Sequence, residues 1–326
     1  MAKKKEDNGQ PTPDASAKDS AAKDAGASNG QAVFQAPERV PVRKAYKMYV
    51  GGAFVRSESG RYTQVTEAPG LSTKENVSRA SRKDGRDAVT AALGAWSGWS
   101  GRTAFNRGQI LYRLGEMMEA RKGELVTSLV HGGLSREDAE RETLAAIDRA
   151  IAYAGWCDKY QSLFASLNPV AGPHFNFTSP EPMGVVTIVA PERPALLGLV
   201  GSILPVIASG NTCVVLASEA DPRTAVVFSE ALATSDLPGG VVNILTGQAK
   251  EVLPHLAKHL EVAALDLHGV DPALAKTVEE AAVINVKRVR ARSLSAADWF
   301  DAEKAESPRW IERFVEMKTI WHPAGP

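Results

Sequence analysis

Two thiols in the chain could act as nucleophiles, Cys157 and Cys213. A catalytic thiol needs a partly exposed, electropositive setting that stabilises the thiolate. Cys157 ends an apolar helical stretch beside Trp156, and Cys213 lies inside a run of β-branched residues. Neither has a histidine close in sequence, and a buried cysteine is usually an inert small hydrophobe. Both are therefore expected to be packing residues.

Two histidines, His255 and His259, stand four residues apart on a predicted helix, which is a spacing that can hold zinc. The sequence offers no third ligand and no glutamate base in the zinc-protease pattern. We therefore expect two solvated surface histidines and no metal site.

A strand of alternating charge is predicted at residues 287–292, and it places Arg288, Arg290 and Arg292 on one face. Charged side chains protect an exposed sheet edge against aggregation. The same three guanidinium groups could instead dock an acidic partner surface. The sequence favours the protective role and leaves the docking role open.

Continuous apolar runs at residues 184–189, 212–216 and 241–245 are typical of strands that are buried on both faces. Helical stretches at 195–209 and 224–235 separate them, and a fourth strand and helix are predicted at 260–267 and 272–284. This alternation predicts an α/β fold with a doubly wound, parallel, Rossmann-like sheet.

The residues before this sheet predict helices and two hairpins. Apolar residues at helical spacing, without proline between Arg86 and Leu167, predict an N-terminal layer of three amphipathic helices. One helix would bury Val89 and Ala92, and another Leu144, Ile147 and Ile151. Gly51-Gly52 predicts a hairpin turn, and Phe175 and Phe177 alternate with polar residues in a second hairpin at 163–183. A last strand is predicted at 314–321.

Composition excludes some classes of function. The 326 residues carry no formal net charge, so no global field would attract nucleic acid or a membrane surface. No apolar run is long enough to span a bilayer, and two cysteines suit the reducing cytoplasm. Residues 1–40 are almost free of large apolar side chains and are expected to form a disordered tail.

One stretch resembles the NAD-binding domain of the aldehyde dehydrogenase superfamily. It reads Glu-Pro-Met-Gly at 181–184, Pro-Val-Ile-Ala-Ser-Gly-Asn-Thr at 205–212 and Leu-Pro-Gly-Gly-Val-Val-Asn at 237–243. The resemblance implies an NAD-binding-type domain at 41–162 and 184–293, with an oligomerisation arm at 163–183 and 308–322. It implies that the following residues would line the cofactor site: Val189, Ala190, Pro191, Ser218, Glu219, Gly247 and Gly269.

The chain differs from that family at the positions of the catalytic and cofactor-binding residues. Arg193 stands where the family has an oxyanion-binding asparagine, Arg292 replaces the general-base glutamate, and Leu216 replaces a ribose-binding lysine. The segment that carries the nucleophilic cysteine is missing before the last strand. Without a thiolate and a base, neither the covalent intermediate nor its hydrolysis is available.

The resemblance thus implies a family member without catalytic residues and without a metal, in which NAD binding is weak or lost. It is similar to the non-catalytic second domain of family 16 aldehyde dehydrogenases. We expect an accessory or regulatory subunit that assembles with itself or with a full-length aldehyde dehydrogenase. Two alternatives stay open: an NAD(P)-dependent oxidoreductase rewired around Arg193 or Arg292, and a remnant without a role.

Overall fold

The computed structural model describes residues 42–66, 74–292 and 294–324, without the side chain of Arg292. The predicted tail at 1–40 lies outside these residues.

Twelve helices and twelve strands are seen in this described part. The helices are α1 (Arg82–Ser100), α2 (Ala104–Ala120), α3 (Lys122–His131), α4 (Arg136–Trp156), α5 (Tyr160–Phe164), α6 (Leu197–Ala208), α7 (Pro222–Leu232), α8 (Ala249–Ala257), α9 (Pro272–Ala282), α10 (Ala296–Phe300), α11 (Ala302–Ala305) and α12 (Arg309–Glu312). The strands are β1 (Met48–Val50), β2 (Ala53–Val55), β3 (Tyr62–Thr66), β4 (Lys74–Ser78), β5 (Ser166–Asn168), β6 (His174–Pro182), β7 (Val185–Val189), β8 (Thr212–Leu216), β9 (Val242–Leu245), β10 (Val262–His268), β11 (Arg288–Arg292) and β12 (Val315–Pro323).

The central sheet has the strand order β11-β10-β7-β8-β9-β1-β2. The five strands from β7 to β11 are parallel, and the chain builds outward from β7 first in one direction and then in the other. Helices α6 and α7 pack with the N-terminal helical layer, whereas α1 packs with α8, and α8 with α9. The predicted doubly wound parallel sheet is therefore confirmed, and its topological switch point lies between β7 and β10.

The hairpin predicted around Gly51-Gly52 is confirmed, because β1 and β2 pair antiparallel and both glycines have positive φ. Tyr49 of β1 also pairs with Ile244 of β9, which adds two antiparallel strands to the parallel sheet. This extension was not predicted, since nothing in a three-residue strand specifies its distant partner.

The predicted helices do not form one layer, because α2, α3 and α4 pack with α6 and α7 whereas α1 packs with α8 on the opposite face of the sheet. One predicted helix face is also partly exposed. Val89 and Ala92 of α1 are buried as expected, but Leu144 and Ile151 of α4 are 45% and 38% exposed. The buried face of α4 carries mostly small side chains instead. Small residues let α4 approach α2 and α6 closely, so backbone proximity decides this face and not side-chain size.

A separate three-stranded sheet has the order β12-β6-β5, and all its pairs are antiparallel. The predicted hairpin at 163–183 is confirmed as β5 and β6. We call the sheet the arm. The arm strand β12 begins at Val315, and Ile311 and Phe314 just before it are buried in the core.

The segment between β11 and β12 is fastened to α4 by one buried side chain. Arg149 is 1% exposed and donates to the carbonyl oxygens of Trp299 (2.8 Å) and Ala305 (2.9 Å). Its Nε also donates to the Glu306 carboxylate at 3.0 Å. One guanidinium therefore satisfies three acceptors at the ends of α10 and α11.

Replacing Arg149 by methionine should lower the free energy of unfolding by about 3 kcal/mol, because buried acceptors lose their donor. Arg136→Met in the same helix is the matched control, since Arg136 is 79% exposed and pairs only with Glu140. It should change stability by no more than about 0.5 kcal/mol. Urea titrations of the three proteins test this, and equal midpoints for the two variants would contradict the role of Arg149.

Candidate functional site

The residues predicted to line the cofactor site all follow the carboxyl ends of parallel strands. Val189, Ala190 and Pro191 end β7 or follow it, Ser218 and Glu219 follow β8, and Gly247 and Gly269 follow β9 and β10. In doubly wound sheets this edge holds the ligand crevice, at the switch point. The structure thus brings the seven predicted positions to one edge of the sheet.

Glu192, which the sequence analysis did not single out, links two of the loops at this edge. Its carboxylate accepts hydrogen bonds from the Ser218 hydroxyl (2.8 Å) and from the backbone N–H groups of Glu219 (3.2 Å) and Ala220 (2.8 Å). Glu192 is exposed, so water competes for the same oxygens. The sequence does place an acidic residue just after the first buried strand. It does not show which groups the side chain of that residue would contact.

A second carboxylate, that of Glu142, caps the N-terminus of α6. It accepts from the N–H groups of Leu196 (2.7 Å) and Leu197 (3.2 Å), and Glu142 is 2% exposed. Burial raises the pKa of Glu142, against the opposing effect of these two hydrogen bonds. The helix terminus that would attract an external phosphate is therefore already occupied by an internal anion.

Glu219, the predicted ribose partner, is engaged as well. Its carboxylate accepts from the backbone N–H of Ala249 at 2.8 Å, in the first turn of α8. Leu216 beside it is 4% exposed and offers no polar group. Three glutamates thus take up backbone donors around the crevice.

Neither arginine at the family's catalytic positions is shown to meet a reacting group. The guanidinium of Arg193 donates to the carbonyl oxygen of Gly132, just after α3. Arg292 ends β11 opposite His268, and its side chain lies outside the described part of the chain. Arg288 donates to the carbonyl oxygens of Arg313 and Val315, both at 2.9 Å, so it helps to hold the arm.

Trp299 of α10 covers the switch point. It is 1% exposed, and its ring centroid lies 5.2 Å from that of His268 at the end of β10. A side chain on Gly201 of α6 would lie within 2.9 Å of its ring, so the packing is close. Trp299 is therefore a packing residue.

A buried polar cluster beneath Trp299 contains the residue types of a hydrolase triad. His268 Nε2 lies 3.1 Å from the Ser202 hydroxyl and 3.1 Å from the Asp266 carboxylate. Both contacts fall on the same ring nitrogen, whereas a triad uses both nitrogens. All three side chains are buried, so the cluster is structural.

The two cysteines are free and buried. Burial raises the pKa of Cys157 to about 12, and burial inside β8 also raises the pKa of Cys213. Almost no thiolate exists at neutral pH in either position. The residues described by the structure also contain no group of three His, Cys, Asp or Glu placed to hold a metal ion.

Comparison with known proteins identifies the family of this dinucleotide-type fold. The profile of the aldehyde dehydrogenase family matches residues 54–311. The chain is 32% identical over 254 residues to the cytosolic 10-formyltetrahydrofolate dehydrogenase of Xenopus tropicalis, covering 76% of this chain and 28% of that protein. The human cytosolic protein is 31% identical over 263 residues, with coverage of 79% and 29%.

Solved structures agree with this assignment. The crystal structure of PnpE in complex with nicotinamide adenine dinucleotide superposes with a TM-score of 0.72 at 27% identity, covering 76% of this chain and 50% of that one. The chain therefore belongs to the aldehyde dehydrogenase family. It spans under a third of the length of the 10-formyltetrahydrofolate dehydrogenases and half the length of PnpE.

The burial of both thiols predicts their reactivity. In the native chain, a water-soluble disulfide reagent should modify Cys157 and Cys213 only as fast as the chain unfolds, because neither is exposed or ionised. In denaturant both should react within seconds to minutes. A thiol that reacts at the mixing time in the native protein would reveal an activated cysteine and would contradict this description.

Proposed function

We propose that this chain is a non-catalytic member of the aldehyde dehydrogenase family that assembles with itself or with a full-length aldehyde dehydrogenase. The observation that carries the proposal is the arm. It offers an open strand edge and an apolar face, while the polar groups at the crevice are already paired within the chain.

The edge of the arm is suited to pairing. In the described part of the chain, β12 is hydrogen-bonded to β6 on one side and to no strand on the other. Eight of its nine residues are exposed. An exposed strand of this length offers a row of N–H and C=O groups to another chain, which favours addition of a partner strand.

One face of the arm carries a row of apolar side chains beside the Lys318–Glu181 ion pair. The pairing register aligns Leu167 of β5, Phe177 of β6 and Ile320 of β12 in a row across the sheet. Phe175 lies on the same face, and its ring centroid is 5.5 Å from that of Phe177. Leu167 is 67% and Phe175 50% exposed, so burying this row against a partner would be favourable.

The chemistry of the crevice supports a non-catalytic role. Neither cysteine forms a thiolate, and Arg193 is tied to the Gly132 carbonyl and not directed at a substrate. The rewired-oxidoreductase alternative therefore has no observed geometry in its favour. The two free, buried thiols are consistent with the proposed cytoplasmic location.

Binding of NAD is proposed to be weak or lost in this chain. PnpE was solved with that cofactor, and the seven crevice positions are retained in place. However, the carboxylates of Glu142, Glu192 and Glu219 hold the donors around the crevice. A pyrophosphate would have to displace anions of its own sign, which costs hydrogen bonds and adds repulsion.

Glu192 provides the test of this cofactor proposal. Glu192→Ala should tighten NAD binding by roughly fivefold, because it frees two N–H groups and removes one negative charge at an exposed position. Glu116→Ala, a distant exposed glutamate on α2, should have no effect. Calorimetric titration of the three proteins gives the affinities, and micromolar binding by the unmodified chain would overturn the proposal.

Assembly is tested with variants on the two faces of β12. Ile320→Lys should abolish self-association or capture of a full-length aldehyde dehydrogenase, because it buries a charge in the apolar row. Met317→Lys lies on the opposite face of the same strand and should be tolerated. The readouts are light scattering of the purified chain and mass spectrometry of what co-purifies from native cells. A monomeric chain that captures no family member would refute the accessory role.

A further inference from the structure

A basic cavity of about 230 Å³ lies between α1 and α8, apart from the crevice described above. Its lining consists of Arg82, Arg86, His255, Leu256, Lys258 and His259. Five of these six side chains are cationic or become cationic on protonation, and none of the lining residues in the described structure is acidic. The lining therefore concentrates positive charge in a chain whose formal net charge is zero.

Helices α1 and α8 pack closely beside the cavity. Gly85 of α1 faces α8, and a Cβ at this position would lie 3.0 Å from Val252 and 3.4 Å from Leu256. Arg82 and Arg86 flank this glycine one turn apart on α1. His255 lies in the last turn of α8, whereas His259 follows the end of that helix at Ala257, so it is not on the helix that the sequence predicted for it.

The charges in the cavity act on one another. The pKa of His255 is lowered by burial, and further by the positive charges of Arg82 and Lys258. The pKa of His259 is lowered by burial and by Lys287 and Arg86, and Glu261 opposes this. Burial is therefore the main effect on both histidines, the nearby positive charges add to it, and Glu261 offsets those charges in part at His259.

The nearest acidic partner on α1 is already engaged. Asp87 pairs with Lys83 at 2.8 Å and lies 3.7 Å from Arg86 Nε. Arg82 and Arg86 remain exposed at the mouth of the cavity. Guanidinium groups present paired donors that match the geometry of phosphate oxygens.

We propose that this cavity binds a phosphate or diphosphate group, either as the inorganic ion or as part of a small phosphorylated metabolite. Its volume is several times the roughly 30 Å³ that one water molecule occupies in the liquid, which suits one or two phosphate groups. It is below the range of about 300–1,000 Å³ that is usual for sites of larger ligands. Zinc is disfavoured, since two arginines and a lysine would repel a divalent cation.

The site also lies away from the predicted cofactor edge. Helix α8 begins at Ala249, which donates to Glu219 at the crevice, whereas His255 and His259 lie at and beyond its other end. Binding at this cavity is therefore independent of whether NAD binds or the arm assembles.

The decisive experiment is calorimetric titration of the full chain with inorganic pyrophosphate at about pH 5.5, because the pKa of both histidines is lowered from the usual value of about 6.5. Saturable binding is expected. Arg82→Gln should weaken it by about two- to fivefold, as for an ion pair between exposed groups. Arg82→Gln combined with His259→Gln should weaken it by roughly tenfold. Lys276→Gln, an exposed lysine on α9, is the matched control and should leave binding unchanged.

Protonation gives a second readout. A bound dianion should raise the pKa of both histidines, so affinity should fall as the pH rises through their titration, and their imidazole NMR signals should shift on binding. Glucose 6-phosphate in place of pyrophosphate distinguishes an organic phosphate from the inorganic ion, and binding of either supports the site. No saturable binding of either, or equal affinity in the double variant, would overturn the proposal.

Discussion

Between β11 and the arm strand β12 the chain must cross the face of α6, and the buried guanidinium of Arg149 holds it there. A parallel sheet is stable only when helices cover both faces, so this crossing has to be packed as tightly as a core helix. Arg149 makes that possible by satisfying the carbonyl ends of α10 and α11 while it pairs with Glu306. Trp299, Ile311 and Phe314 are buried along this crossing, and the Asn211 side chain donates to the Phe314 carbonyl just before the arm begins.

The crossing also explains the state of the crevice. The sheet keeps its switch point and the seven positions around it, but Trp299 covers the end of β10, and glutamates take up the backbone donors nearby. The carboxylates of these glutamates satisfy backbone N–H groups that a ligand would otherwise bind, which stabilises the site without a ligand. The arm is the reverse case, with an open edge and an exposed apolar row. The surface that still offers unpaired backbone groups and exposed apolar side chains to a partner therefore lies at the arm and not at the crevice.

The sequence predicted the elements of the parallel sheet well. Continuous apolar runs such as 184–189 and 212–216, separated by helices as in βαβ units, indicate buried parallel strands. The sequence-based prediction failed for the buried face of α4, because large apolar residues were taken to mark that face. Leu144 is 45% and Ile151 38% exposed, although Ile151 packs against Gly115 of α2, where a Cβ would lie 2.6 Å from its Cδ1. It also missed Glu142 and Glu192. Each binds N–H groups at least 26 residues away in the chain, and no local pattern records such a partner.

The sequence by itself determined the fold class and the family resemblance. These conclusions depend on residue identity and local periodicity, which can be read directly from the amino-acid sequence. Only the tertiary structure decided which side chains fill the crevice, and that Arg82, Arg86, His255 and His259 share one cavity. Those outcomes depend on the distance between helices, which Gly85 sets by packing directly against α8, and packing of that kind is a property of the assembled core.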